Sequence, residues 1–168
     1  MTRVGIYSLA ALVLAADQIT KHWVARAHRG WPLTGGDYSR EVIPGFFSLT
    51  YAQNTGGAFS ILQSSTLLLA LASAAAALAI VIYTLRHRGP LPGLLAVALG
   101  GALGGALGNL MDRVRLHYVV DFLDLHVGAH QWPIFNVADS AICLGVALLA
   151  LHYARAETPR PAPSRSSN

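Results

Sequence analysis

The chain has 168 residues and a formal net charge of +4; 54% of its residues are hydrophobic and only 12% are charged. A soluble domain carries roughly 25% charged residues, so this chain lacks the polar surface that such a domain needs. Its apolar residues are collected in long blocks, which is typical of a membrane protein. No basic stripe interleaved with aromatic residues is present, so we expect no nucleic-acid partner.

Four apolar blocks are each close to the roughly 20 residues needed to cross a bilayer. They cover approximately residues 4–23, 65–85, 91–111 and 134–153. Lipid requires every backbone group to be satisfied within the segment, so each block is predicted to be a helix. Arg3 and the apolar run after it also resemble a cleaved signal peptide. Because the stretch from Asp17 to Lys21 continues the helical register, a retained anchor is the preferred interpretation.

The connections between the blocks differ in character. Residues 46–51 follow Pro44-Gly45 and are rich in aromatic and β-prone side chains, which predicts a short extended segment near the lipid headgroups. Residues 112–131 are interpreted as a polar loop. The sequence thus predicts an all-α membrane protein with four transmembrane helices and a small extracytoplasmic β-segment between helices 1 and 2. One domain covers residues 1–156, and a disordered cytoplasmic tail covers residues 157–168.

The third block carries glycines at a spacing of four residues, at Gly100, Gly104 and Gly108. Small residues at this spacing allow helix backbones to approach closely in lipid. No Lys-Ser or Lys-Thr pair follows to form a nucleotide-binding loop. The pattern therefore predicts helix packing and not phosphate binding.

The orientation in the membrane is weakly encoded. With both termini in the cytoplasm, the 12 Lys and Arg residues divide evenly between the two sides. The short turn between the second and third blocks is basic, and short loops weigh most in the positive-inside rule. This turn favours cytoplasmic termini.

Unusual polar residues collect at one membrane face. Successive spans alternate in direction, so the end of span one, the start of span two, the end of span three and the start of span four meet there. The residues concerned are Asp17, Lys21, Asn54, Asn109, Asp112, Arg113, Asp121, Asn136, Asp139 and Ser140. The pairs within one helix are three or four residues apart and so share a helix face.

Asp139 is the first candidate for chemistry. If span four starts near Ile134, Asp139 lies roughly 8 Å below the helix entrance, and a carboxylate there is costly unless it is paired or wet. A second carboxylate, Asp121 or Asp124 on spacing alone, would complete a pair. Two carboxylates that share one proton can hydrolyse a peptide bond without a covalent intermediate. Such a pair would make aspartic hydrolysis one possible activity of this membrane face.

Other functions compete with this interpretation. His126 and His130 are four residues apart, as metal ligands on a helix could be, but no His-Glu-x-x-His run exists. Ser60 and Ser140 lack the Gly-x-Ser-x-Gly turn of serine hydrolases. A small transporter or channel could use intramembrane Asp, Asn and Lys, and a lipid-binding structural protein is also possible. The only cysteine, Cys143, excludes an internal disulfide, and we expect neither a metal nor a cofactor.

Five motifs in order resemble those of lipoprotein signal peptidase, the type II signal peptidase of bacteria. They are Asp17-Gln18-Ile19-Thr20-Lys21, the stretch from Asn54 to Ser60, the stretch from Gly108 to Arg113, Val119-Val120-Asp121-Phe122 and Phe135-Asn136-Val137-Ala138-Asp139-Ser140. Each motif alone is weak, but five in sequence over nearly the whole chain are specific.

The resemblance implies an intramembrane aspartic endopeptidase that removes the signal peptide from diacylglyceryl-modified prolipoproteins just before the lipidated cysteine. It implies Asp121 and Asp139 as catalytic residues in preference to Asp124. It also implies a multi-pass protein of the bacterial inner membrane, with its active site on the extracytoplasmic side and with membrane lipids around it. We expect a monomer. The implied substrate-binding residues are Asn54, Asn109, Arg113, Asn136, Asp17 and Lys21.

Overall fold

The computed structural model describes residues 1–34, 37–56, 65–128 and 130–157. Its long helices are α1 (Arg3–Ala27), α2 (Thr66–Arg86), α3 (Gly93–Leu116) and α4 (Val137–Glu157). All four are long and apolar enough to cross a membrane, which confirms the four predicted spans. The predicted disordered tail lies, apart from its first residue, outside the described residues, as does the part of the Asn54–Ser60 motif that follows Gly56.

Five strands form one antiparallel sheet in chain order. They are β1 (Leu33–Thr34), β2 (Asp37–Ile43), β3 (Phe47–Asn54), β4 (Val119–Val127) and β5 (His130–Gln131). Strand β3 confirms the extended segment predicted between the first two helices. Strands β4 and β5 correct the all-α prediction, because they occupy the stretch interpreted as a polar loop.

The polar loop was a wrong prediction for a physical reason. Helix α3 continues to Leu116 and ends where His117 adopts a left-handed conformation with φ of 66°. Strand β4 then begins with Val119 and Val120, which are buried. Asp121 and Asp124 gave this run a loop-like composition, yet both are buried and accept hydrogen bonds from neighbouring side chains.

Helix α3 is the centre of the bundle, because it packs against each of the other three helices. A Cβ atom on Gly104 would overlap the Ala10 carbonyl oxygen of α1, and one on Gly105 would overlap the Ala138 carbonyl oxygen of α4. The glycines therefore let α3 approach both neighbours at backbone distance, as predicted from their spacing. This packing brings the start of α4 against the end of α3, where the polar residues lie.

Candidate active site

A cavity of about 460 Å³ opens where β4 meets the start of α4. Its polar lining residues are Asn54, Asn109, Arg113, Asp121, Asp139 and Ser140. Its apolar lining residues are Val119, Trp132, Pro133, Ile134, Phe135, Ile142 and Cys143. The lining therefore combines polar side chains, two aspartates among them, with apolar side chains from β4, α4 and the segment between them.

Asp121 enters this cavity from the middle of β4. Side chains alternate along a strand, so Val119 and Asp121 face the cavity while Val120 faces away. Asn54 donates a hydrogen bond to one Asp121 carboxylate oxygen at 2.8 Å, and Asn136 donates to the other at 2.6 Å. These two amides hold the carboxyl group in one orientation.

Asp139 lies in the first turn of α4, which starts at Val137. The predicted start near Ile134, and the depth of roughly 8 Å that was based on it, are therefore wrong, because Ile134 precedes the helix. Asn136 accepts a hydrogen bond from the Asp139 amide at 2.9 Å, and the Asp139 carboxylate accepts from the Asn136 amide at 3.3 Å. This reciprocal capping box fixes both the helix start and the carboxylate. Asn109 donates a hydrogen bond to the other carboxylate oxygen of Asp139 at 2.7 Å.

Burial raises the pKa of Asp121 to about 7, and the negative charge of Asp139 is the second cause of the rise. The hydrogen bonds from Asn54 and Asn136 act in the opposite direction, because they favour the ionised form. Asp121 is only 2% exposed, so its charge is poorly solvated. A carboxyl group in this position can keep its proton close to neutral pH.

Lys21 lies behind the cavity as a buried cation. Its ammonium nitrogen is 2.8 Å from Asp17 and 2.9 Å from Asp112, and it donates to the Asn109 side-chain oxygen at 3.0 Å. The same Asn109 donates to Asp139. Lys21 therefore fixes the amide that orients one of the two candidate aspartates.

Asp17 and Asp112, whose carboxylates contact Lys21, also accept hydrogen bonds from the backbone beside the two candidate catalytic aspartates. Asp17 accepts a hydrogen bond at 2.9 Å from the amide of Ala138, which directly precedes Asp139. Asp112 accepts at 3.2 Å from the amide of Val120, which directly precedes Asp121. We call Lys21, Asp17 and Asp112 the anchor cluster. It ties α1, α3, α4 and β4 together behind the site.

Gln18 is a positioning residue that the sequence analysis did not single out. Its side-chain nitrogen donates to Asp112 at 2.9 Å, to Asp17 at 3.2 Å and to the Gly108 carbonyl oxygen at 3.3 Å. The sequence placed Gln18 next to Asp17, but only the distances show that it bridges the anchor cluster.

The structure brings the predicted site residues together in two layers. Asn54, Asn109 and Arg113 line the cavity with the two aspartates. Arg113 donates to the carbonyl oxygens of Asn109 and Gly56 at 3.4 Å each, which places its guanidinium beside the segment after β3. The other three predicted residues, Asn136, Asp17 and Lys21, do not line the cavity; each is almost fully buried behind it.

Asp124 lies away from the cavity. It is buried and accepts hydrogen bonds from Thr50 at 2.8 Å and Gln131 at 3.1 Å. His126 and His130 lie on neighbouring antiparallel strands and not on a helix. Among the described residues, no group of three or more His, Cys, Asp or Glu side chains is placed to hold a metal ion.

Comparison with known proteins fits this geometry. A family model described as signal peptidase (SPase) II matches residues 9–155. The chain belongs to the signal peptidase II family. It is 45% identical over 157 residues to a lipoprotein signal peptidase of Geobacter sulfurreducens, with 92% of each chain covered. It is 44% identical over 151 residues to one of Oleidesulfovibrio alaskensis, covering 87% of this chain and 92% of the relative.

Solved structures share the whole fold. One, described as a bacterial membrane enzyme studied by the in meso method at 2.3 Å resolution, superposes with a TM-score of 0.82. It is 30% identical and covers 98% of this chain and 97% of its own. A second bacterial membrane enzyme, at 1.9 Å, gives a TM-score of 0.75 at 31% identity, with 94% and 97% coverage. As a member of the signal peptidase II family, this multi-pass membrane protein is a peptidase. The transporter alternative has no support in these relatives.

Proposed function

We propose that this protein is an aspartic endopeptidase that removes the signal peptide from diacylglyceryl-modified prolipoproteins, with Asp121 and Asp139 as the catalytic dyad. The observation that carries the proposal is the meeting of these two carboxyl groups in one cavity, where burial and the charge of Asp139 raise the pKa of Asp121 to about 7. A pair of this kind holds one proton near neutral pH, which is the state that aspartic hydrolysis uses.

The proposed reaction needs only water and the dyad. The ionised aspartate takes a proton from water while the water oxygen bonds to the scissile carbonyl carbon. The protonated aspartate gives its proton to the carbonyl oxygen, so a neutral tetrahedral diol forms. The carbon–nitrogen bond then breaks as the amine nitrogen takes the first aspartate's proton. The second aspartate recovers its proton from a diol hydroxyl, which restores the starting state.

The residues behind the dyad serve as positioning groups in this proposal. Asn54 and Asn136 hold Asp121, Asn109 holds Asp139, and Lys21 holds Asn109. These fixed dipoles limit reorganisation during the reaction. Arg113 is the cavity cation whose guanidinium would contact peptide carbonyl oxygens of the substrate.

The lipid on the proposed substrate fits the apolar residues that line the cavity. Trp132, Ile142 and Cys143 line it, and Ile142 and Cys143 belong to a helix long enough to cross the membrane. A diacylglyceryl group attached to cysteine can keep its chains in lipid while the adjoining peptide bond reaches the dyad. We place this site on the extracytoplasmic side of the bacterial inner membrane, in agreement with the basic turn after α2.

Lipidated and unlipidated forms of one prolipoprotein test the substrate assignment. We expect the detergent-solubilised protein to cut the lipidated form just before its cysteine and to leave the unlipidated form largely intact. Product masses report the position of the cut. Equal cleavage of both forms would contradict the lipid requirement. If neither form were cleaved, the proposed function would be wrong.

Cys143 offers an independent probe of the cavity. It lies one helical turn after Asp139, lines the same cavity and is exposed at the protein surface. We expect alkylation with a maleimide to reduce cleavage by roughly tenfold or more, because the bulky adduct would occupy substrate space. As Cys143 is the only cysteine, Cys143→Ala is a matched control that should remain active after the same treatment. Full activity of the fully alkylated protein would place the substrate elsewhere.

A further inference from the structure

A second cavity, of about 380 Å³, lies on the other face of β4 from the candidate active site. Val120 lines this cavity, whereas Val119 and Asp121 line the active site. The cavity is bounded by the ends of α1 and α3 that lie next to the active site, and we call it the rear cavity. Both helices are long enough to span a bilayer, so we expect their ends to lie at the level of the lipid headgroups.

The rear cavity presents basic groups that the protein itself does not use. Arg115 and His22 line it, both are exposed, and neither has a hydrogen-bond or ion-pair partner among the described residues. The one carboxylate in its wall, Asp112, already accepts from Lys21 at 2.9 Å, from Gln18 at 2.9 Å and from a β4 amide. The wall therefore favours an anionic ligand.

Two tyrosines add hydroxyl groups to the same cavity. The Tyr118 and Tyr51 hydroxyl oxygens are 3.3 Å apart, and Gln53 donates to Tyr51 at 3.1 Å. When Tyr51 donates its proton to Tyr118, the Tyr118 proton remains free for a ligand oxygen. The bond to Tyr51, followed by burial, raises the pKa of Tyr118 to about 12, so this hydroxyl stays protonated at neutral pH.

Gln18 and Lys21, which contact Asp112, also line the cavity, and its other lining residues are apolar. Ile19 and Leu116 line the cavity, and they are 68% and 38% exposed on helices long enough to span a bilayer. Ala25, which also lines the cavity, lies further along α1 than Ile19. A ligand here thus meets basic groups and hydrocarbon at once, which a free anion cannot use but an amphipathic lipid can.

We propose that the rear cavity binds the phosphodiester headgroup of an anionic membrane phospholipid. Arg115 supplies a planar guanidinium that can donate two parallel hydrogen bonds to phosphate oxygens. His22 and Tyr118 donate further hydrogen bonds, and the first acyl methylenes lie on Ile19 and Leu116. The proposal does not depend on the peptidase assignment, because no residue of the dyad faces this cavity.

Lipid binding to the purified full chain in a neutral detergent tests the proposal. We expect added phosphatidylglycerol to raise Tm by roughly 3 °C and to remain bound in native mass spectra. Arg115→Gln should weaken this binding by roughly tenfold, since it removes charge-assisted hydrogen bonds. Arg40→Gln is the matched control, because Arg40 is an exposed arginine of β2 outside the rear cavity. It should bind phosphatidylglycerol as the unaltered protein does.

Two further ligands test whether the bound phosphate belongs to an anionic membrane lipid or to a free phosphate ester. Phosphatidylcholine should bind more weakly, because its choline cation opposes the guanidinium of Arg115. Glycerol 3-phosphate alone should give no shift at the same concentration, because it lacks acyl chains. Equal effects of free glycerol 3-phosphate and the lipid would overturn the membrane source. Unchanged lipid binding by a normally folded Arg115→Gln protein would overturn the site itself.

Discussion

Replacing either Asp121 or Asp139 by Asn lowers kcat/KM by roughly 10³-fold or more, while the protein stays folded. Asn has the shape of Asp but cannot take a proton from water or exchange one with the carbonyl oxygen. The proposed dyad needs one ionised and one protonated carboxyl group, so a single amide removes one of the two roles. The cleavage rate of a lipidated prolipoprotein measures the effect, and Tm measures the fold.

Asp124→Asn is the matched control for these two variants. Asp124 lies three residues after Asp121 on the same strand and is also buried, but it contacts Thr50 and Gln131 outside the cavity. We expect it to keep cleavage within a few-fold of the unaltered rate. If Asp124→Asn were inactive and Asp121→Asn active, the dyad could not consist of Asp121 and Asp139.

Lys21→Met should destabilise the protein by roughly 3–5 kcal/mol in free energy of unfolding and should also slow cleavage strongly. The ammonium lies within 3.0 Å of Asp17, Asp112 and Asn109. Its loss leaves two buried carboxylates without a cation and releases the amide that orients Asp139. Denaturant titration in detergent and the cleavage rate give the two readouts.

Arg26→Met and a double variant separate this effect from general loss of charge. Arg26 lies on the same helix as Lys21 but is exposed, so its replacement should change neither readout appreciably. Adding Asp112→Asn to Lys21→Met should recover part of the lost stability, because one fewer carboxylate is left unpaired. A Lys21→Met protein of normal stability and activity would show that the anchor cluster does not hold the site.

The four helices could be predicted from the sequence because each apolar block is long and little interrupted. Strand β4 could not be, because its aspartates are satisfied by side chains from distant elements, such as Asn54 and Thr50. A local pattern does not contain those partners. The start of α4 was misplaced for a related reason. The capping box of Asn136 and Asp139 makes the helix begin at Val137 and not at Ile134.

The site was predictable as a gathering of polar residues, but not as a geometry. Alternating helix directions placed these residues at one membrane face, and the structure brings them together. Spacing alone left Asp121 and Asp124 equivalent, and strand alternation with the β3 register decides which one faces Asp139. The separation of Lys21 and Asn136 from the cavity surface depends on distances that no sequence pattern gives.

The pH dependence of kcat/KM on a lipidated prolipoprotein tests the shared-proton dyad most directly. The pKa of Asp121 is raised to about 7, so the pair keeps its proton below this pH and loses it above. Once both carboxyl groups are ionised, neither can protonate the carbonyl oxygen, and activity falls. At low pH the second carboxylate is protonated and activity falls again, which gives a bell-shaped profile. Activity that keeps rising to about pH 9 would contradict the dyad and point to a different base.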